Sequence, residues 1–351
     1  MLLFDIDKAS VWQKLKTTTE PIIMYGTGNG ADKVLDELEY IGVSVSGVTA
    51  SSGFVRKRVF RGFEVMPIEY FEEVYGEFTV IVAFGTSVPQ VMDNIIALSH
   101  KHRVLVPCVP VIGTEVFDEN FLFCNEEAIN KAYELLADDF SKKVYEGYVN
   151  FLYGGELDAL QSITTPEDEA YAKILKLKNN EVFVDIGAYR GDTVQRFLEY
   201  SGGHYKAIIA AEPDEKTFKK LMNSCGDLPC FTGVNCAVAD VDGVVGFSHS
   251  AGRQSAIGGE KPTDCVTLNT LCRDVEPSFI KVDSEGCELE IFSASPEILQ
   301  KYKPKLNIAA YHKSEDIFKL PILINEINPC YKIHLRHHPY IPAWDTIFYC
   351  V

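Results

Sequence analysis

The stretch VFVDIGAYRGDT, residues 182–193, decides how the chain is read. Val182, Phe183, Val184 and Ile186 form a short apolar run rich in β-branched residues, the pattern of a strand buried on both faces of a parallel sheet. Gly187 ends that run. After Gly191, the residues Val194, Phe197 and Leu198 recur at helical spacing, so the unit reads strand, glycine turn, helix. Such a turn brings bare backbone against a ligand at a helix N-terminus, and it serves equally for tight strand-to-helix packing. The next segment decides between the two. AIIAAEPDEKTFKKL (207–221) is a second apolar run ending in Glu212, roughly twenty residues after the turn, where dinucleotide-type folds place the acid that accepts hydrogen bonds from ribose hydroxyls. Turn and acid together predict a ribose-bearing cofactor.

Four further blocks follow: DCVTLNTLC (264–272), FIKVDSEGCELEIF (279–292), LNIAAYHKSEDIFKLPILI (306–324) and DTIFYC (345–350). In content and order, from about residue 165 to the C-terminus, the set resembles the FkbM family of S-adenosylmethionine-dependent methyltransferases. The resemblance implies a class I methyltransferase fold, a seven-stranded, mostly parallel, doubly wound α/β sheet whose last strand is antiparallel. It also implies methyl transfer, mainly to hydroxyl oxygens of sugars and related natural products. The implied cofactor is S-adenosylmethionine, with Asp185, Gly187, Ala188, Tyr189, Gly191, Asp192 and Thr193 around its methionine end, and Glu212, Pro213 and Asp214 around its ribose. Asp283 and Glu285 would then lie beside the transferred methyl group. Ser284 and Cys287 depart from the usual family pattern and bear on the acceptor rather than the cofactor.

Methyl transfer from a sulfonium needs an aligned nucleophilic oxygen and a group to take its proton. Asp283 and Glu285 stand at the carboxyl end of the strand Phe279–Val282, where open α/β sheets bind ligands, although a helix cap and a first-turn charge would account for them too. His312 follows the apolar strand LNIAAY, next to Tyr311, and its ordinary pKa suits proton removal near neutral pH. Asp283, Glu285 and His312 are therefore the candidate catalytic residues. Arg336, His337 and His338 follow YKIHL at the edge of the next strand, where a loop position predicts solvation, and no metal site is assigned.

The N-terminal third carries a separate βαβ pattern. A strand at Ile22–Tyr25 meets G-x-G-x-x-A (Gly26, Gly28, Ala31), then a helix with Val34, Leu35, Leu38 and Ile41 on one face, then a strand at Val43–Val48. TVIVAFGTS and RVLVPCVPVIG supply further strands. The second strand ends in Thr49, Ala50, Ser51 and Ser52, with no acid for a ribose, which argues against ordinary NAD binding. The stretch resembles the small Rossmann-like domain that precedes the catalytic part of some bacterial sugar-modifying enzymes. Its glycine turn belongs to another sheet, so a ligand, partner or oligomerising role separate from methyl transfer is expected. Residues 125–163 show helical spacing (Ile129, Tyr133, Leu136, Phe140, Val144, Tyr148, Leu152) up to Gly154 and Gly155 and read as a connector that lids the catalytic domain. Thr165, Pro166 and Asp168 start a further helix ending near Asn179. The organisation is thus 1–124 Rossmann-like domain, 125–164 helical connector and 165–351 methyltransferase domain.

Composition narrows the function. With 351 residues, 46% of them hydrophobic and 24% charged, each half can bury its own core. The net charge of -17 is spread over the chain, so nucleic acid would meet long-range repulsion, and a small-molecule or sugar substrate is expected instead. The ten cysteines show no C-x-x-C pair and read as reduced thiols. The N-terminus MLLFDIDKAS lacks a basic leader and no apolar run approaches a membrane span, which predicts a soluble cytoplasmic protein. Two rivals stand beside the methyltransferase: an NAD-dependent sugar-modifying enzyme using the first glycine turn, and a non-catalytic sugar-nucleotide or cofactor binder.

Overall fold

The computed structural model describes residues 1–51, 59–247 and 261–351; Ser52 lies outside them. The catalytic half is built on a sheet of seven strands: β7 (Val182–Ile186), β8 (Ala207–Ala211), β9 (Phe231–Val234), β13 (Phe279–Val282), β14 (Lys305–Ala309), β15 (Ile333–His337) and β16 (Thr346–Cys350). Their order is β15-β16-β14-β13-β7-β8-β9. All pairings are parallel except those of β16, which runs antiparallel to β14 and β15. The order reverses between β7 and β13, the switch point where a crevice opens at the strands' carboxyl ends. β7 is buried along its whole length, as its apolar run requires, with Phe183 stacked against both Phe197 and Phe279.

The N-terminal half is the expected second open sheet, in the order β3-β4-β2-β1-β5-β6, formed by β1 (Ile22–Tyr25), β2 (Gly47–Thr49), β3 (Val59–Phe60), β4 (Phe63–Met66), β5 (Thr79–Val82) and β6 (Arg103–Leu105). β2 is shorter than expected, because the chain leaves the helix Asn29–Tyr40 through a turn that takes up Val43. A small sheet that the sequence reading lacks, β10 (Ala237–Ala239), β11 (Gly243–Phe247) and β12 (Lys261–Thr267), lies between β9 and β13 in the chain.

Residues 119–161 form three helices rather than one long one: Glu119–Glu134, Asp139–Gly154 and Leu157–Gln161. Asp138 breaks the run by capping the second helix through Ser141 N. That helix does not lie over the cavity described below. Ser141 Oγ accepts from Leu335 N and from Arg336, so the helix covers β15, the edge strand of the sheet. After Pro166 the predicted helix is a short turn, Glu167–Ala170, continued as a π-helix from Tyr171 to Leu175, well short of Asn179.

The two halves share one apolar core that includes Ile23 and Val80 of the first sheet and Val184 and Ile280 of the second. Thr86 and Ile341 exchange backbone hydrogen bonds of 2.7 and 2.9 Å, and Ile112 N donates to His312 O at 3.0 Å. A side chain at Gly85 would overlap the Trp344 ring. No helix among the described residues is long and apolar enough to cross a membrane.

Candidate active site

At the switch point between β7 and β13 the carboxyl ends of the strands enclose a cavity of about 360 Å³. Its walls include Gly187, Tyr189, Asp192 and Thr193 from the first turn, Glu212, Pro213 and Asp214 from the second, and Asp283 and Glu285 from the loop after β13. Sequence reading marks all nine. The wall also includes Lys281, Asn307, Tyr311, Tyr340, Trp344 and Asp345, and Ser87 of the N-terminal half.

Three residues expected to touch the cofactor do not reach the wall. Ala188 is buried in the apolar layer beneath the turn. Asp185 is fully buried, and Lys281 Nζ lies 3.4 Å from its Oδ1. Burial pushes its pKa up to about 6, Lys281 pulling the other way. Gly191 adopts φ +87°, and an added Cβ would stand 2.5 Å from Cys225 Sγ and 3.1 Å from Leu221 Cδ1. It lets the helices Asp192–Tyr200 and Glu215–Cys225 pack closely, a packing role between two helices where the sequence offers one between strand and helix. Gly187 is the glycine of close approach: at φ +74°, any side chain there would overlap the Asp283 carbonyl oxygen.

Glu212 is 7% exposed and fixed by the backbone at both oxygens. Tyr189 N donates to Oε2 at 2.9 Å and Asp214 N to Oε1 at 2.9 Å. The contact is made possible by Tyr189 itself, which holds a left-handed φ of +49°. Burial raises the Glu212 pKa to about 7, against the pull of these two N–H groups. Each oxygen keeps a lone pair for a further donor.

At the other end, Tyr311 donates to Asp283 Oδ1 at 3.0 Å, and Lys281 Nζ, which donates to Gly187 O at 2.8 Å, lies 3.7 Å from Asp283 Oδ2. Burial works against the Lys281 charge, but Asp185, Asp283 and Asp192 outweigh it and keep its pKa raised. Glu285, at φ +52°, and Gly286, at φ +91°, form a left-handed turn that sets the Glu285 carboxylate on the wall.

His312 is not a wall residue and is not placed as the neutral base expected of it. It is 1% exposed; Nδ1 lies 3.1 Å from Glu288 Oε1, and Nε2 lies 3.4 Å from Asp283 Oδ1 and 3.6 Å from Glu285 Oε2. Burial disfavours its charge, but Glu288 first and then Asp283 and Glu285 reverse the sign and raise its pKa to about 10. At neutral pH the ring is a cation among carboxylates. The expected solvation of Arg336, His337 and His338 also fails. Arg336 pairs with Asp138 at 3.2 Å, His337 is fully buried against Thr346, and His338 bridges Thr165 O and Tyr349 OH. Burial lowers the two histidines to about 3 and about 4, which keeps them neutral.

Residues 185–340 match a sequence family described as the methyltransferase FkbM domain. Among solved structures, methyltransferase FkbM from Methylobacillus flagellatus KT superposes with a TM-score of 0.72 at 20% identity, covering 99% of this chain and 94% of that one. The fold is therefore shared across both α/β halves. Precorrin-6y C5,15-methyltransferase from Geobacter metallireducens GS-15 matches at a TM-score of 0.34 and 13% identity, over 52% of this chain and 84% of its own. Fibrillarin from Aeropyrum pernix, solved with natively bound S-adenosyl-L-methionine, matches at 0.34 and 11%, over 52% and 74%. No curated protein matches the chain in sequence.

The cavity fits the methyl donor of that family. Gly187 lies on the cavity wall at the turn after β7, and Glu212 offers two fixed acceptors on one wall, suited to vicinal ribose hydroxyls. Asp283 places a carboxylate on the wall, which would favour a cationic ligand. The match of residues 185–340 to the methyltransferase FkbM domain and the geometry of the cavity agree on S-adenosylmethionine as the cofactor.

Proposed function

We propose that the chain methylates a hydroxyl oxygen of a sugar or a glycosylated natural product, with Glu285 as the proton acceptor. The observation that carries this reading is the carboxylate pair, Asp283 and Glu285, on the cavity wall at the end of β13. A neutral hydroxyl is a poor nucleophile and needs its proton removed as the new bond forms; a positioned carboxylate contributes roughly 10² to 10⁴-fold. S-adenosylmethionine supplies an electrophilic methyl group on sulfur. Glu212, with Pro213 and Asp214, would hold its ribose, and Gly187 and Tyr189 its methionine end. Asp283 has a different task from Glu285. It accepts from Tyr311 and faces Lys281 and His312, so its carboxylate is held in place as a fixed anion.

Ser87, Tyr340 and Trp344 border the same cavity and supply hydroxyls and aromatic faces, the surfaces that sugars stack on and bond to. Ser87 would bring the N-terminal half into acceptor binding, beside the separate role its sequence suggests. The test is turnover with methyl-labelled S-adenosylmethionine and a panel of free sugars, nucleotide sugars and hydroxylated natural products. Transfer to a hydroxyl is expected, with Glu285→Gln lowering kcat by about 10² to 10⁴-fold and leaving S-adenosylhomocysteine affinity nearly unchanged. Transfer to an amine, or full turnover by the Gln variant, contradicts the reading.

A further inference from the structure

We propose that Asp283, Glu288 and His312 bind one first-row divalent cation at the acceptor end of the cavity. The inference rests on the methyltransferase reading of that cavity and adds to it an ion that would hold the acceptor's oxygens. One ligand atom from each of the three side chains can be chosen so that all lie within 4.8 Å of one another. They come from separate elements. Asp283 ends β13, Glu288 opens the helix Glu288–Ala294, and His312 follows β14.

Two of the three are buried ligands with valence to spare. Glu288 is 0% exposed; its Oε1 accepts from Ser284 N at 2.8 Å, while its Oε2 is buried without a hydrogen-bond partner among the described residues. His312 is 1% exposed, and its Nδ1, though 3.1 Å from Glu288 Oε1, likewise makes no aligned hydrogen bond among them. Buried polar atoms without partners are rare in folded proteins and point to a missing ligand. Asp283, with a side chain 36% exposed, connects this buried pair to the cavity.

The charge balance points the same way. Three carboxylates, Asp283, Glu285 and Glu288, face a ring that carries at most one positive charge. Of the neighbouring lysines, Lys281 lies 3.7 Å from Asp283 Oδ2 and adds one positive charge, while Lys313 pairs with Glu290 at 3.0 Å, so the three carboxylates still outnumber the cations facing them. Asp316, nearly fully buried beside this cluster, accepts from Lys313 N at 2.8 Å. A divalent ion in place of the ring's proton brings one more positive charge to the same carboxylates. One imidazole nitrogen with carboxylate oxygens is a donor set that Mn²⁺ and Zn²⁺ accept, and an open coordination position toward the cavity would take a hydroxyl of the acceptor.

The experiment uses the full chain stripped with a chelator. Mn²⁺ is titrated and followed by electron paramagnetic resonance, with Zn²⁺ as a competitor. S-adenosylhomocysteine binding is measured on the same stripped sample by calorimetry. One Mn²⁺ per chain is expected, displaced by Zn²⁺, with affinity at least tenfold weaker in Glu288→Gln and in Asp283→Asn. The second substitution lies at the cavity and keeps the test valid if the first unfolds. Absence of saturable Mn²⁺ binding, or binding that both variants retain, overturns the site and leaves His312 as a charged member of an ion-pair cluster. S-adenosylhomocysteine binding to stripped protein that takes no Mn²⁺ would refute the ion alone, whereas failure to bind S-adenosylhomocysteine would count against the methyltransferase reading itself.

Discussion

Replacing Glu212 with glutamine tests the cofactor wall at the point where the structure gives a magnitude. The carboxylate accepts one backbone N–H at each oxygen, from Tyr189 and from Asp214, both at 2.9 Å. A carboxamide has one oxygen and one NH₂ group, so whichever way it turns, a donor faces a donor. The orphaned N–H costs about 1–3 kcal/mol of stability, because the site is buried. The ribose loses a charge-assisted acceptor as well, about 1.5–3 kcal/mol, which is a loss of roughly 10 to 150-fold in affinity. Calorimetric titration with S-adenosylhomocysteine at pH 8 reads the affinity, and thermal denaturation of the free protein reads the stability. Affinity within threefold of wild type, in a variant that melts lower, would show that Glu212 braces the turn and does not hold the ribose.

Three other outcomes follow from the same geometry. Because burial raises Glu212 to about 7, wild-type affinity for S-adenosylhomocysteine should rise about tenfold from pH 6 to pH 8, as the ionised fraction grows from about a tenth to about nine tenths, and Glu212→Gln should flatten the profile; calorimetry at the two pH values checks this. Gly191→Ala should destabilise by about 1–3 kcal/mol through its collision with Cys225 and its positive φ, while leaving S-adenosylhomocysteine affinity within threefold of wild type; differential scanning calorimetry and calorimetric titration decide it. A chain beginning at residue 126 should aggregate or melt far lower than the full protein, since Val80, Phe117 and Phe121 belong to the shared core; a stable truncation that binds S-adenosylhomocysteine normally would contradict that unity.

The strand-turn-helix at 182–193 was legible because burial on both faces writes a largely apolar run, and the acids at 212, 283 and 285 were legible because they stand at the carboxyl ends of such runs. Gly191 was not, since one glycine can serve a ligand or a neighbouring helix and only the position of Cys225 separates the two. Lys281 and Asn307 left a signal that went unused: each is a polar residue inside an apolar strand, where burial demands a partner. His312 was found, but its charge depends on Glu288, a residue that reads in sequence as ordinary helix acid. Ser87 left no local trace, because it reaches the cavity through the pairing of Thr86 with Ile341, far away in the chain.

A crystal structure of the full chain with S-adenosylhomocysteine tests the central claim most directly. The account predicts the ligand in the cavity between β7 and β13, its ribose hydroxyls on Glu212, its amino-acid end against Gly187 and Tyr189, and its sulfur turned toward Asp283 and Glu285. A ligand seated instead at the Gly26–Gly30 turn of the N-terminal sheet, or with its ribose away from Glu212, would contradict it.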